Sequence, residues 1–287
     1  MIHVSLDVPR LERWGKVIRH ALRYAADFLR QGKRPPSVVV FPDLPSRRTT
    51  LHKVCRHEGW ELTNSKRSRP LAVLRFEDTT FKTSALPDFP GRIFNAGLSD
   101  ISKRHLDKWH REVWGHGVNV DPTTFEGLML EKGDGNALHD GREIVGPIAA
   151  PRPDKVYQRI INNREDSGRV VDLRVVYVDG QMPVTYKKFK ADATRYTNET
   201  TSATLHSTSE IFSEAELSRI AELMRTMQAD IAELDVLRDF DSGRIFVVDI
   251  NPTPWGPPAG LPAPEAAVAI SRIAAAFREA FKPSKRP

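Results

Sequence analysis

The sequence predicts a mixed α/β protein, and three observations carry that prediction. Short apolar runs bounded by prolines or glycines alternate with segments of helical periodicity, as layered α/β units require. The apolar stretch 170–178 faces a second strand over 181–189 across Asp179-Gly180, the dipeptide that favours a tight hairpin turn. A third run, Ile245-Phe246-Val247-Val248, leads directly into Asp249-Ile250-Asn251, so polar groups are carried to the end of a buried strand.

The elements follow in order. Trp14, Val17, Ile18, Ala21, Leu22, Ala25 and Leu29 recur at helical spacing, and Gly32 with Pro35-Pro36 ends that helix. The apolar run over 37–41 reads as a buried parallel strand. A helix over 48–58 and a strand over 71–76 complete a small α/β unit, and 79–91, with its two prolines, reads as a linker. A helix is predicted over 99–114, capped by Ser99 or Asp100. Strands follow over 125–131 and 156–161. The segment 194–208 is rich in Thr, Ser and Asn and reads as a loop. Ser213 with Glu216 forms a capping box for a helix over 213–232. Strands over 234–237 and 245–250 flank a turn at Asp241-Ser242-Gly243. An irregular loop over 252–264 and a helix over 266–281 close the chain, and no internal repeat is visible.

Composition narrows the function classes. Hydrophobic residues make up 40% and charged residues 28% of the 287, values of an ordinary globular protein. No stretch approaches the roughly 20 apolar residues of a membrane span, and Met1 to Asp7 lacks the pattern of a signal peptide. Cys55 is the single cysteine. It excludes an internal disulfide and a cysteine-built metal site, and it fits a reducing cytoplasm. The net charge of +6 is spread over Arg47-Arg48, Lys66-Arg67-Ser68-Arg69, Lys187-Lys188-Phe189-Lys190 and the tail from Lys282 to Arg286. No nucleic-acid module accompanies these groups, so a dispersed basic excess suits ATP or an acidic small-molecule substrate better than nucleic acid. His105, His110, His116, His139 and His206 show no metal-ligand spacing. Neither a Ser–His nor a Cys–His motif is present.

The sharpest chemical signal joins Asp235 to Asp249-Ile250-Asn251-Pro252-Thr253-Pro254. Asp249 and Asn251 lie two apart on a strand, so both side chains leave one face, and Asp235 on the preceding strand can reach it. Two carboxylates and an amide oxygen form a hard, oxygen-only set suited to Mg2+.

These residues resemble the metal-binding end of the ATP-grasp superfamily, with Asp249 where that family more often has Glu. Earlier residues resemble it in the same order. Ser102-Lys103 resembles the first nucleotide-binding lysine. Leu130-Glu131-Lys132-Gly133-Asp134-Gly135-Asn136, continuing to His139-Asp140-Gly141, resembles the second lysine and its glycine-bearing phosphate loop. Tyr157-Gln158-Arg159-Ile160-Ile161 resembles the hinge strand that pairs with adenine, with Glu165 or Asp166 for the ribose hydroxyls. Asp172-Leu173-Arg174 and Tyr186-Lys187-Lys188 resemble the strands that supply cations to the transferring phosphate, and Thr197-Asn198 resembles a substrate-side element.

The resemblance implies an ATP-grasp fold over about 93–256, preceded by a small α/β domain. The expected organisation is a pre-domain over 1–98, a small lid lobe over 99–156 and a larger lobe over 157–287. The implied site has Arg174 and Lys188 as catalytic cations. Lys103, Lys132, Gly135, Gln158, Arg159, Ile161, Asp166 and Lys187 bind ATP, and Asp235, Asp249 and Asn251 hold Mg2+. The implied reaction is an ATP-dependent joining of a carboxylate to an amine through an acyl phosphate, on small and anionic substrates, with no membrane partner and with room for a homo-oligomer. A kinase acting on a hydroxyl, and a nucleotide- or nucleic-acid-binding module without turnover, are the alternatives.

Overall fold

Three separate sheets organise the chain, each grown from a different local pattern. The structure is a computed structural model and describes residues 35–67, 69–136, 138, 140–165, 167–197 and 199–282. The expected helix over 14–29, His139, Asp166, Asn198 and the tail beyond Lys282 lie outside the described residues.

The first sheet is parallel. Its strands are β1 (Ser37–Pro42), β2 (Glu61–Thr63), β3 (Ala72–Phe76) and β4 (Ile93–Phe94), in the order β2-β1-β3-β4. Helix α1 (Thr50–Glu58) connects β1 to β2. It starts two residues later than the sequence suggests because the Thr49 hydroxyl, not Arg48, stands at the cap and accepts from His52 N–H at 3.3 Å. The helix ends where Gly59 takes φ 72°.

The second sheet is small and antiparallel: β5 (Gly127–Gly133), β6 (Arg142–Gly146) and β7 (Lys155–Arg159), in the order β6-β5-β7. Strand β6 was not expected. Its side chains are mostly exposed, so no burial alternation marks it, and pairing with β5 decides its state.

The third sheet is antiparallel, with order β10-β9-β8-β11-β12. Its strands are β8 (Val170–Val178), β9 (Thr185–Lys190), β10 (Ser202–His206), β11 (Ile231–Arg238) and β12 (Ile245–Asn251). Asp179 and Gly180 take φ 47° and 87°, the left-handed pair that a two-residue hairpin turn demands. Strand β10 falls inside the expected loop over 194–208. Its Ser, Thr and Ala side chains pair along the β9 edge with only Ala203 buried, so the polar composition hides an edge strand.

Helices α2 (Lys103–Trp114), α3 (Thr208–Ile211), α4 (Glu214–Thr226) and α5 (Ala263–Ala280) complete the described chain. The cap of α2 is Ser102, whose hydroxyl accepts from His105 N–H at 3.3 Å. Asp100 instead accepts from Ser102 N–H at 2.7 Å, two residues too early to cap the helix itself. The capping box of Ser213 and Glu216 is present, but α4 stops at Thr226 because Gln228 takes φ 54° and the chain enters β11.

Two cores flank the third sheet. On one face Val176, Val178, Tyr186 and Ile231 pack with β1, β3, α1 and α5. On the other, Val171, Leu173, Val175 and Leu234 pack with α2 and α4 through Leu106, Ile220 and Leu223. Strand β8 is therefore apolar on both faces along most of its length, which explains why Val, Leu and Tyr fill seven of its nine positions. The charged exceptions on that run mark the site.

Candidate active site

Strand pairing gathers the charged exceptions on one face of the third sheet. Asp172 lies opposite Lys188, Arg174 opposite Asp235, and Asp235 opposite Asp249. Because side chains alternate along a strand, Lys190 and Asn251 share that face. The register between β11 and β12 shifts after Asp235, leaving Val248 unmatched; this bulge re-aims the end of β12. The face forms one wall of a cleft of about 560 Å³. Lys103, Lys132 and Gln158 belong to its other wall. A broader, more open depression around Asp107, Arg111 and Asp121 gathers no comparable set of cations.

Ion pairing divides the cleft's charges into committed and uncommitted groups. Arg174 binds Asp235 through two bonds, Nε to Oδ1 at 2.8 Å and Nη2 to Oδ2 at 2.9 Å. Burial alone would raise the Asp235 carboxyl, but Arg174 and Lys188 outweigh it and hold the group well below the usual carboxylate range. Lys190 pairs with Asp172, whose other oxygen accepts from Asn163 Nδ2 at 2.9 Å. The Asp249 side chain has no hydrogen bond or ion pair among the described residues. Burial, and then the nearby Asp235 carboxylate, push it up to about 6. Lys132 likewise has no ion pair among the described residues; burial, and then Lys103, bring its ammonium down to about 8. Lys188 is buried and stands 3.7 Å from Asp235 Oδ1.

The small-sheet wall is held by bonds among its own residues and to Thr80. The Lys103 ammonium donates to the Gly135 carbonyl, and the Asn136 and Gly133 N–H groups donate to Thr80 Oγ1 at 2.9 Å and Asp140 Oδ1 at 2.8 Å. Beyond β7, Ile161 offers its carbonyl to Arg195 Nη2 at 3.0 Å and to Asn163 N–H at 3.0 Å. Among the described residues the N–H and C=O of Ile160 and the N–H of Ile161 have no hydrogen-bond partner, so the backbone edge there is free. The Gln158 side chain is buried and donates to Asn119 Oδ1 at 3.0 Å, and its backbone is paired between Leu130 of β5 and Asn119.

Lys103, Lys132, Gln158, Arg159, Ile161, Arg174, Lys188, Asp235, Asp249 and Asn251 all line the one cleft. Four residues expected at the site are engaged by other groups of the chain. Lys187 points away from it and pairs with Glu165 at 2.9 Å, because successive residues of β9 face opposite sides. Glu165 is thereby committed to Lys187 and, at 3.2 Å, to Arg169. Gly135 is not among the cleft-lining residues, and its carbonyl is taken by Lys103. Asp235 faces the cleft but both its oxygens are occupied by Arg174, so it is not a free metal ligand.

Sequence reasoning missed Lys190, Asp78 and Trp255, which line the same cleft. Lys190 could have been found: it follows Lys188 by two and so shares its face. Asp78 follows the carboxyl end of β3, where parallel sheets collect ligand-facing groups. It accepts from Thr253 Oγ1 at 3.1 Å, and Thr253 in turn donates its N–H to Asn251 Oδ1 at 2.9 Å. No group of three or more His, Cys, Asp or Glu side chains is placed to hold a metal among the described residues.

The chain thus combines a parallel α/β unit with two antiparallel sheets that enclose a polar cleft. No family model matches the chain, and no curated protein matches its sequence. Solved structures do resemble it. The ATP-grasp ligase PsnB complexed with a minimal precursor aligns over 86% of this chain and 100% of its own, at 15% identity and TM-score 0.55. Its complex with minimal precursor, Mg and ADP aligns over 86% and 98%, at 14% identity and TM-score 0.56. Its complex with precursor peptide PsnA2 and AMPPNP aligns over 86% and 97%, at 12% identity and TM-score 0.54. The chain has the ATP-grasp fold.

Proposed function

We propose that this chain is an ATP- and Mg2+-dependent ligase that activates a carboxylate as an acyl phosphate and joins it to an amine, releasing ADP and phosphate. The carrying observation is the division of charge in the cleft. Arg174 and Lys188 face Asp235 and Lys190 pairs with Asp172, while Lys103 and Lys132 face the cleft as cations with no ion-pair partner among the described residues. A triphosphate supplies the missing negative charge. The free backbone edge at Ile160 and Ile161, beside the cleft-lining apolar residues Val118, Leu237 and Val248, suits adenine.

Asp249 fits a divalent cation: its carboxylate has no hydrogen-bond or ion-pair partner among the described residues, and burial, then the Asp235 carboxylate, push it up to about 6. Asp249 and Asn251 would hold Mg2+ together with phosphate oxygens, and Asp235 would join them only on releasing Arg174. Bound there, the metal would neutralise charge on the phosphates. The complex of the neighbouring PsnB fold with Mg and ADP supports this reading.

In the reaction, a substrate carboxylate oxygen attacks the γ-phosphorus and the bond to the ADP oxygen breaks. The amine nitrogen then attacks the acyl carbon, expels phosphate and loses a proton. Arg174 and Lys188 balance the charge that moves during transfer, and positioning does the rest. The chemistry asks for no protein nucleophile. Cys55 is buried, with its thiol pushed up to about 12 by burial, and is unsuited to that role. Incubating the chain with Mg·ATP, a carboxylate panel and hydroxylamine tests the proposal. ADP release with hydroxamate formation is expected; AMP with pyrophosphate, or a stable phosphoester, would overturn it.

A further inference from the structure

One aromatic side chain in the cleft is exposed and yet fixed. Trp255 is 53% exposed, in the loop that follows β12. Its neighbours on both sides are clamped to the start of α1. Thr50 N–H donates to the Pro254 carbonyl at 2.9 Å, Gly256 N–H donates to Thr50 Oγ1 at 3.0 Å, and the Lys53 ammonium donates to the Gly256 carbonyl. Thr50 itself donates to the buried Glu233 at 3.0 Å. A Cβ on Gly256 would come within 2.5 Å of Glu233 Oε1 and 2.7 Å of Thr50 Oγ1, so the loop lies tightly against this frame. An indole left to water on a backbone held this firmly is a preorganised contact surface.

Arg48 completes the arrangement. Its guanidinium carbon stands 5.7 Å from the centre of the Trp255 ring, and no carboxylate pairs with it among the described residues. Asp43 and Asp78, the acidic groups on the adjoining loops, are turned to other partners: Asp43 accepts from Asp78 N–H at 3.0 Å, and Asp78 accepts from Thr253 Oγ1. The place is also topologically apt. In the order β2-β1-β3-β4, β1 sends its connection to β2 on one side while β3 lies on the other. The loops after β1 and β3 therefore part at their carboxyl ends, the crevice where open parallel sheets bind ligands. Those loops carry Arg48 and Asp78.

We propose that Trp255 and Arg48 form a substrate subsite continuous with the cleft, which takes a second carboxylate of the substrate on a flat or apolar stem. The stem lies on the indole, and the second carboxylate pairs with the free guanidinium. The substrate class is then a molecule with two carboxylates, one activated beside Arg174 and Lys188 and one bound at Arg48. A free diacid and a peptide segment with two acidic side chains share this chemistry. The inference rests on the ligase reading above.

The test measures equilibrium binding to the full chain saturated with Mg·ADP. One arm compares benzoate with terephthalate. The other compares capped pentapeptides carrying one or two glutamates separated by apolar residues. A dianionic probe should bind about fivefold tighter than its monoanionic partner, and Arg48→Gln should level the two while leaving the Kd of Mg·ADP unchanged. Trp255→Ala should weaken both members of a pair, and Trp255→Phe should restore much of the loss. Preference in the small-molecule arm assigns a free diacid, and preference confined to the peptide arm assigns a peptide segment. Equal binding of the pairs, absence of probe binding while Mg·ADP binds, or a preference that survives Arg48→Gln would overturn the subsite alone. Failure of Mg·ADP to bind would overturn the ligase reading, and the subsite with it.

Discussion

Lys132 stands in the cleft with its ammonium brought down to about 8 by burial and by Lys103. Bound phosphates supply the opposite influence, so nucleotide binding should raise the group and draw a proton from solution. The sign follows: the charged form binds, so affinity falls as the pH climbs through 8. With a free value near 8, roughly nine-tenths of the side chain is charged at pH 7 and roughly one-tenth at pH 9. The Kd of Mg·ADP should therefore rise by up to about tenfold between those values. Isothermal titration at pH 8 in two buffers of different ionisation enthalpy should detect uptake of about half a proton. Lys132→Arg keeps a permanent cation and should flatten the profile. Lys132→Ala should weaken binding at pH 7 and flatten it as well. Two lysines serve as controls. Lys66 is exposed outside the cleft, and Lys66→Ala should change nothing. Lys82 is also brought down to about 8 by burial, but its ammonium donates to the Glu77 and Thr79 carbonyls away from the cleft. Lys82→Gln should leave the slope intact. A slope that persists in Lys132→Arg, or release of a proton on binding, would refute the assignment.

Three further outcomes follow from the same geometry. Asp249→Asn should cut turnover by about a hundredfold or more yet raise the melting temperature at pH 7.5. The folded value of Asp249 is raised to about 6, so its ionised form costs stability above that pH and the amide removes the cost. Arg174→Met should destabilise the chain by about 3–5 kcal/mol, read by denaturant unfolding, because Asp235 and Glu233 lose the cation they face. Gly256→Ala should cost about 1–3 kcal/mol through contact with Glu233 and Thr50, and should lower turnover while the Kd of Mg·ADP holds.

The parts of this fold legible in the sequence are those whose signal is local. The Asp179-Gly180 turn, the capping box at Ser213 and the pairing of Asp235 with Asp249 depend on residues a few positions apart or on one hairpin, and each stands where its residues predict. Strands β2, β4, β6 and β10 were hidden, being short or exposed and defined by their partners rather than by burial. The site shows the same division. Alternation alone separates Lys188 from Lys187 and could have recovered Lys190. Which carboxylate is free could not be read this way: Asp235 and Asp249 look alike in sequence, and only the cross-strand neighbour Arg174 commits one of them. The contribution of Asp78 was equally out of reach, since its contact with Thr253 joins residues that the chain separates by three sheets.

The central claim is that a substrate carboxylate attacks the γ-phosphorus in this cleft. It is tested most directly with a carboxylate carrying heavy oxygen, incubated with Mg·ATP and an amine. The account predicts ADP and inorganic phosphate bearing one heavy oxygen, because the acyl phosphate surrenders a carboxylate oxygen when the amine displaces it. Unlabelled phosphate beside a stable phosphorylated product, or AMP with pyrophosphate, would contradict it.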